Sequence, residues 1–303
     1  MVDFAFDDTA KKTRCSELHA IHCLPKGLLS APHKCSFSHD GLTITLNQYG
    51  AREISVVAQN ETSAEILIEA YQNIEKLLML FDGRFIPLNE FSIAGADEFS
   101  EQYVQRRPIY YQSADFTQYS DNKLFEFDCI LDAKLYKKWQ KLLGEADIMH
   151  QVFLTATAAH TYANDIKLAF MIETAESLVM LVKQHTFYFT TLEPDGGRGT
   201  TLRMCIDGLI TIYGVDIFER ELNNDYAVFL QKVTNSRVRI MHIKNNVQKP
   251  YFKREENLLY LVKFCFLYRR ILLELLGIPY SSYSVQLISA IKAWEAWYNQ
   301  NKP

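Results

Sequence analysis

The side chains best equipped for chemistry in this chain lie between Asn235 and His242, a stretch that reads N-S-R-V-R-I-M-H. Arg237 stands five residues ahead of His242, and apolar residues lie between and around them. A guanidinium is a permanent planar cation matched to phosphate, and an imidazole gives and takes a proton near neutrality. Together they form a minimal set for cutting a phosphodiester. In RNA the ribose 2′-hydroxyl attacks the adjacent phosphorus, His242 acts as general base or acid, and Arg237 stabilises charge on the phosphate oxygens. Asn235 is a candidate to hold the imidazole or to bind phosphate through its amide. DNA, lacking the hydroxyl, is spared.

These groups need an element that brings them together, and a regular helix does not. At about 100° per residue, an offset of five turns Arg237 and His242 roughly 140° apart. Either the helix ends before His242 and the imidazole swings round, or the site is completed across a subunit interface. Asn235, Arg239 and His242 fall near one face by the i, i+4, i+7 rule, so Arg239 competes with Arg237 for the arginine role. Downstream, Lys244, Lys249, Lys253 and Arg254 make a local basic segment, to which Arg269 and Arg270 add. With Arg239, the residues Lys244, Lys253 and Arg254 are candidate substrate contacts, against the alternative that such a run is only a solvated face.

The wording around this stretch, N-S-R-V-R-I-M-H-I-K followed by F-L-Y-R-R-I-L-L-E-L-L-G-I, resembles the HEPN superfamily of ribonucleases and within it the ApeA-like branch of prokaryotic anti-phage defence. Upstream, L-F-D-G-R-F (Leu80 to Phe85) and Y-Y-Q-S-A-D-F (Tyr110 to Phe116) resemble the N-terminal region of that branch. The resemblance implies an all-helical C-terminal domain, metal-independent endoribonuclease activity leaving 2′,3′-cyclic phosphate and 5′-hydroxyl ends, and composite sites in homodimers, which favours the interface solution above. It implies a toxin-like role on tRNA or other single-stranded RNA. Related proteins often carry an acidic residue on the second helix, which makes Glu176 a further candidate catalytic residue, able to orient Arg237, with Glu173 pointing nearly the same way. The chain departs from the pattern at Val238, where many active members have a polar residue. That departure supports an alternative, a non-catalytic helical RNA- or protein-binding subunit of a defence system.

The periodicity predicts an α+β N-terminal domain over 1–143 and a helical bundle over 144–303; the resemblance implies that the bundle is HEPN-like and that the N-terminal domain senses a trigger or restrains activity. Residues 1 to about 33 read as irregular. Alternation of Leu42, Ile44 and Leu46 with polar residues predicts a β-hairpin between Cys35 and Gln59, broken at Tyr49-Gly50. Thr62 or Ser63 then caps a helix to about Leu80, with Ile66, Ala70, Ile74, Leu77 and Leu78 as its stripe and Asp82-Gly83 as its stop. A loop is expected through Gly95, an extended aromatic stretch over Ile109 to Tyr119, and a helix from Ala133 to Leu143 ending at Gly144. Further helices are predicted at Asp147 to Ala159, Asn164 to Gln184, Leu202 to Tyr213, Tyr226 to about His242, Glu255 to Gly277 and Val285 to Tyr298. Glu193 to Thr200 is the clearest loop. Tyr103, Tyr110, Tyr111, Phe116 and Tyr119, with Arg106 and Arg107, either stack on unpaired bases or form core, and core is the preferred reading.

Composition narrows the classes. With 303 residues the chain has ample core, and its net charge of −4 means that any RNA contact must come from a local basic patch. No run of eighteen apolar residues occurs and the start is acidic, so neither a membrane span nor a secretory signal is expected. Six cysteines without an extracellular signature read as reduced thiols of a cytoplasmic protein. Cys15, His19, His22, Cys23, His33, Cys35 and His39 crowd one segment and would suit zinc, but no C-x2-C pair is present and the reading without cofactor is preferred. P-loop, H-E-x-x-H and G-x-S-x-G motifs are absent.

Overall fold

A computed structural model of the chain describes residues 12–24, 32–106, 122–158, 162–189, 201–243 and 249–301. It divides into two compact units, Met1–Leu142 and Leu143–Pro303. The first is built on a five-stranded antiparallel sheet and the second is helical throughout its described residues.

In the first unit, β1 (Arg14–Cys23), β2 (His33–His39), β3 (Leu42–Tyr49), β4 (Ala51–Ser63) and β5 (Leu88–Ile93) lie in the order β2-β3-β4-β1-β5. The predicted hairpin is therefore part of a larger sheet, in which β2-β3-β4 form a meander and β1 and β5 extend it beyond β4. β1 falls where the sequence reads as irregular, because its inward positions are Leu18, Ala20 and His22, a mixture that hides the alternation. Its register against β4 nonetheless alternates buried and open positions as a half-covered strand must. Helix α1 (Ala64–Asp82) covers β4 and β1 with Leu67, Ile68, Tyr71, Ile74 and Leu78; Ile66, expected in the stripe, is exposed. Gly83 ends the helix at φ 70°, its N–H donating to the carbonyl of Met79 at 2.8 Å, a backbone setting that favours glycine. The loop expected through Gly95 instead contains β5, and α2 (Asp97–Arg106) follows it. Tyr103 of α2 stacks on Phe91 with centroids 4.4 Å apart and is buried, so it is core. Arg107, Tyr110, Tyr111, Phe116 and Tyr119 lie outside the described residues.

The seven candidate metal ligands are dispersed by this topology. β1 and β2 are separated by two strands, which at about 4.8 Å per strand places their residues roughly 14 Å apart. His22 is buried, its Nδ1 2.9 Å from the Ile86 carbonyl and its Nε2 3.1 Å from the Tyr71 hydroxyl. His19 lies on the opposite face of β1, Cys15 is buried and Cys23 is exposed. His33 meets Asp128 at 2.7 Å, Cys35 donates to the Leu131 carbonyl at 2.9 Å, and His39 meets Asp40 at 3.2 Å. Among the described residues no group of three or more His, Cys, Asp or Glu side chains is arranged to hold a metal ion.

A single helix, α3 (Ala133–Thr157), runs where two were predicted on either side of Gly144. The remaining helices are α4 (Asn164–Glu173), α5 (Ala175–His185), α6 (Leu202–Tyr213), α7 (Glu219–Leu222), α8 (Tyr226–Met241), α9 (Glu255–Leu275) and α10 (Ser284–Asn301). The long helix expected over Asn164 to Gln184 is thus broken at Thr174, although Leu168, Met171, Ile172, Ala175, Leu178, Val179 and Val182 are all buried as its stripe requires. α9 is apolar on almost every face and packs on α4, α5, α6 and α10, which makes it the centre of the bundle. Its Lys263 is fully buried between Glu221 at 2.7 Å and Glu295 at 2.6 Å, a paired arrangement that a buried cation requires. Among the described residues no helix is long and apolar enough to cross a membrane.

Candidate functional site

Three helices of the second unit set the geometry. Asp225 caps α8 by accepting from the Val228 N–H at 3.1 Å, and the helix packs against α4 and α6 through Phe229, Leu230 and Val233. It stops at Met241, so His242 is already outside it at φ −108° and ψ 9°. Ile243 follows at φ 49°, an unusual backbone for a β-branched residue. That early stop is what lets the imidazole turn back along the helix. The Nη1 of Arg237 lies 3.4 Å from Nε2 of His242, and the histidine is exposed. Of the two solutions the spacing allows, the chain adopts the one that needs no second subunit for these two groups to meet.

Glu173, the last residue of α4, holds Arg237 from the other side. It accepts from Nε and, at 2.7 Å, from Nη2, a two-point pairing of carboxylate and guanidinium. The hydrogen bond from Arg237 is the main cause that holds Glu173 below the usual carboxylate range, with the charge of Arg237 adding to it against partial desolvation. Reciprocally, the bond to Glu173 keeps Arg237 firmly protonated. Arginine can only donate, so in this contact Nε2 of His242 is the acceptor. The second Nη1 hydrogen and the outer Nη2 hydrogen remain for a phosphate oxygen.

The other expected site residues separate. Arg239 does not approach His242; its Nη1 lies 3.3 Å from Asp165 at the start of α4, and its guanidinium carbon lies 4.9 Å from the Tyr251 ring centroid. Asn235 does not hold the imidazole, because its Nδ2 donates to the Pro250 carbonyl at 2.8 Å. Glu176 is exposed on the first turn of α5 and reaches Arg237 only through its charge, so the acidic partner is Glu173. Lys253 lies with its Nζ 5.2 Å from the Tyr251 centroid, and Arg254 is exposed at φ 48° just before α9. Lys244 is outside the described residues.

Sequence reasoning missed Ser236 and Tyr251. The Ser236 hydroxyl accepts from the Phe252 N–H at 2.9 Å, and with Asn235 it fixes the segment before α9 against α8. Only the aromatic residue inside the basic run K-P-Y-F-K-R marked the place. Comparison of the chain with protein-family models, with curated proteins and with solved structures gave no match.

Proposed function

We propose that the chain is a metal-independent endoribonuclease of HEPN type that cleaves RNA by 2′-hydroxyl attack and serves as a toxin in anti-phage defence. The observation that carries this reading is the convergence of Arg237 and the exposed His242 at the end of α8, with Glu173 fixing the guanidinium. In the reaction the substrate phosphate draws Nη1 of Arg237 off Nε2 of His242, the freed nitrogen takes the 2′-hydroxyl proton, the oxygen bonds to phosphorus, and the phosphorus bond to the departing 5′-oxygen breaks. Arg237 donates to the non-bridging oxygens as charge gathers there. Products are a 2′,3′-cyclic phosphate and, once the leaving oxygen is protonated, a 5′-hydroxyl. The reading places the protein in the cytoplasm, where its free cysteines are at home. It takes the homodimer from the resemblance rather than from the site, which these side chains build within one chain.

The test is incubation of wild type and His242→Ala with tRNA and total RNA in the presence of a chelator, with the ends of the products analysed. Wild type is expected to cut and His242→Ala to lose at least about a hundredfold in rate. Undiminished cutting by the variant counts against the mechanism. Val238, half-buried directly after Arg237, favours the second reading, a non-catalytic helical subunit that binds RNA or protein. That reading predicts binding without turnover, weakened by Arg237→Ala and unaffected by His242→Ala.

A further inference from the structure

Arg237 and Arg239 leave α8 about 200° apart, on opposite flanks of the helix, and His242 closes the helix between them. A strand crossing this helix end from the Arg237 side therefore meets the histidine and then the Arg239 flank. The C-terminal end of a helix carries negative partial charge, so a phosphate passing it needs cations brought in from elsewhere.

The Arg239 flank supplies them in an ordered form. Asn235 and Ser236 pin residues 250–252, which sets Tyr251 beside Arg239. Arg239 and Lys253 both lie about 5 Å from the centroid of this one half-buried ring. Two like charges gathered on one ring repel, and the attraction of the ring for each is only about 1 kcal/mol at an exposed site. Compensation by carboxylates is slight. Arg239 has a single contact at 3.3 Å to Asp165, and among the described residues the Lys253 ammonium has no carboxylate at ion-pair distance. Arg254, next in the chain, adds a third cation, exposed and on a backbone with positive φ.

We propose that Arg239 and Lys253, seated on Tyr251, form a phosphate-binding subsite for an unpaired RNA strand, adjacent to the scissile phosphate at Arg237 and His242. Asp165 occupies Arg239 until the phosphate displaces it. The subsite rests on the reading of the neighbouring pair as a nuclease centre. An unpaired strand is required because 2′-hydroxyl attack in line with the leaving oxygen turns the nucleotide out of the stacked duplex geometry.

Fluorescence anisotropy with a labelled oligouridylate, titrated against salt in the His242→Ala background of the full chain, tests it. Arg239→Ala and Lys253→Ala should each weaken binding roughly three- to tenfold and lower the slope of log affinity against log salt by about 0.7, one phosphate contact each. Asp165→Asn should move affinity the other way, by a factor of about two to three, a gain that a structural role for Asp165 does not produce. Tyr251→Ala should reproduce the loss of both cations, and Tyr251→Phe should retain binding. Unchanged salt slopes in both alanine variants overturn the subsite, as does duplex RNA bound as tightly as the single strand. Failure of the nuclease reading shows itself separately, as wild-type protein that leaves RNA intact.

Discussion

An arginine at an exposed helix end samples many rotamers, and fixing such a side chain costs about 2 kcal/mol. Glu173 removes most of that freedom before any substrate arrives, since its two-point contact leaves the guanidinium little room to turn. Glu173→Gln keeps the shape and loses the charge-assisted pairing. Its kcat should fall roughly tenfold through misplacement of Arg237, while KM falls or holds because the uncompensated cation attracts RNA more strongly. The pH dependence follows from the direction of the shift. Since the carboxyl is held below its usual range, the pairing is fully present above the ordinary carboxylate pKa and is lost only as pH falls through the lowered value. Glu173 should therefore contribute no inflection to kcat from about pH 5 to 8, and the wild-type rate should approach that of the variant only in stronger acid. An equal kcat for the two proteins across that range would remove Glu173 from the mechanism.

At the scale of elements, the helices of the second unit were legible wherever one face is apolar over several turns. Leu202–Tyr213 ends where the periodicity ends, and Glu255–Leu275 needs no period because it is buried all round. Interruptions were not legible. Thr174 sits in an unbroken apolar rhythm, yet its hydroxyl donates to the Met171 carbonyl at 2.7 Å and the helix restarts at Ala175. That break falls between Glu173 and Glu176, which a continuous helix would have set on nearly the same side, and Glu173 is the one that meets Arg237. The end of α8, by contrast, was legible to within a residue, Tyr226 to about His242 against Tyr226–Met241, and that stop is what brings Arg237 and His242 together. In the first unit β1 and β5 were hidden by polar residues at inward or edge positions, among them the buried His22. Gly144 shows the opposite error, a glycine read as a stop that lies inside α3. It is exposed, and a Cβ built on it meets nothing within 4 Å. Gly144→Ala should therefore stabilise the protein by roughly 0.5–1 kcal/mol, read as a rise in the denaturant midpoint without a change in slope. A lower midpoint would mean that α3 is interrupted at this point in solution.

For the whole molecule the question is whether one chain carries a complete centre. Arg237, His242 and Glu173 meet within the second unit, with the arginine in contact with both partners. The proposed HEPN-type reading expects instead sites shared between subunits, in which the arginine of one chain serves the histidine of the other. The two arrangements respond differently to mixing. When the pairs are intrachain, every protomer in an equimolar mixture of Arg237→Ala and His242→Ala lacks one essential group, and dimerisation cannot restore it. When they are shared, roughly half of the randomly re-formed dimers unite an intact arginine with an intact histidine across the interface, and each such dimer regains a working centre. The single-chain geometry predicts that the mixture, unfolded and refolded together to exchange subunits, cuts RNA no faster than either variant alone. Recovery of a substantial fraction of wild-type rate would show that the Arg237–His242 contact within one chain is not the pairing used in catalysis.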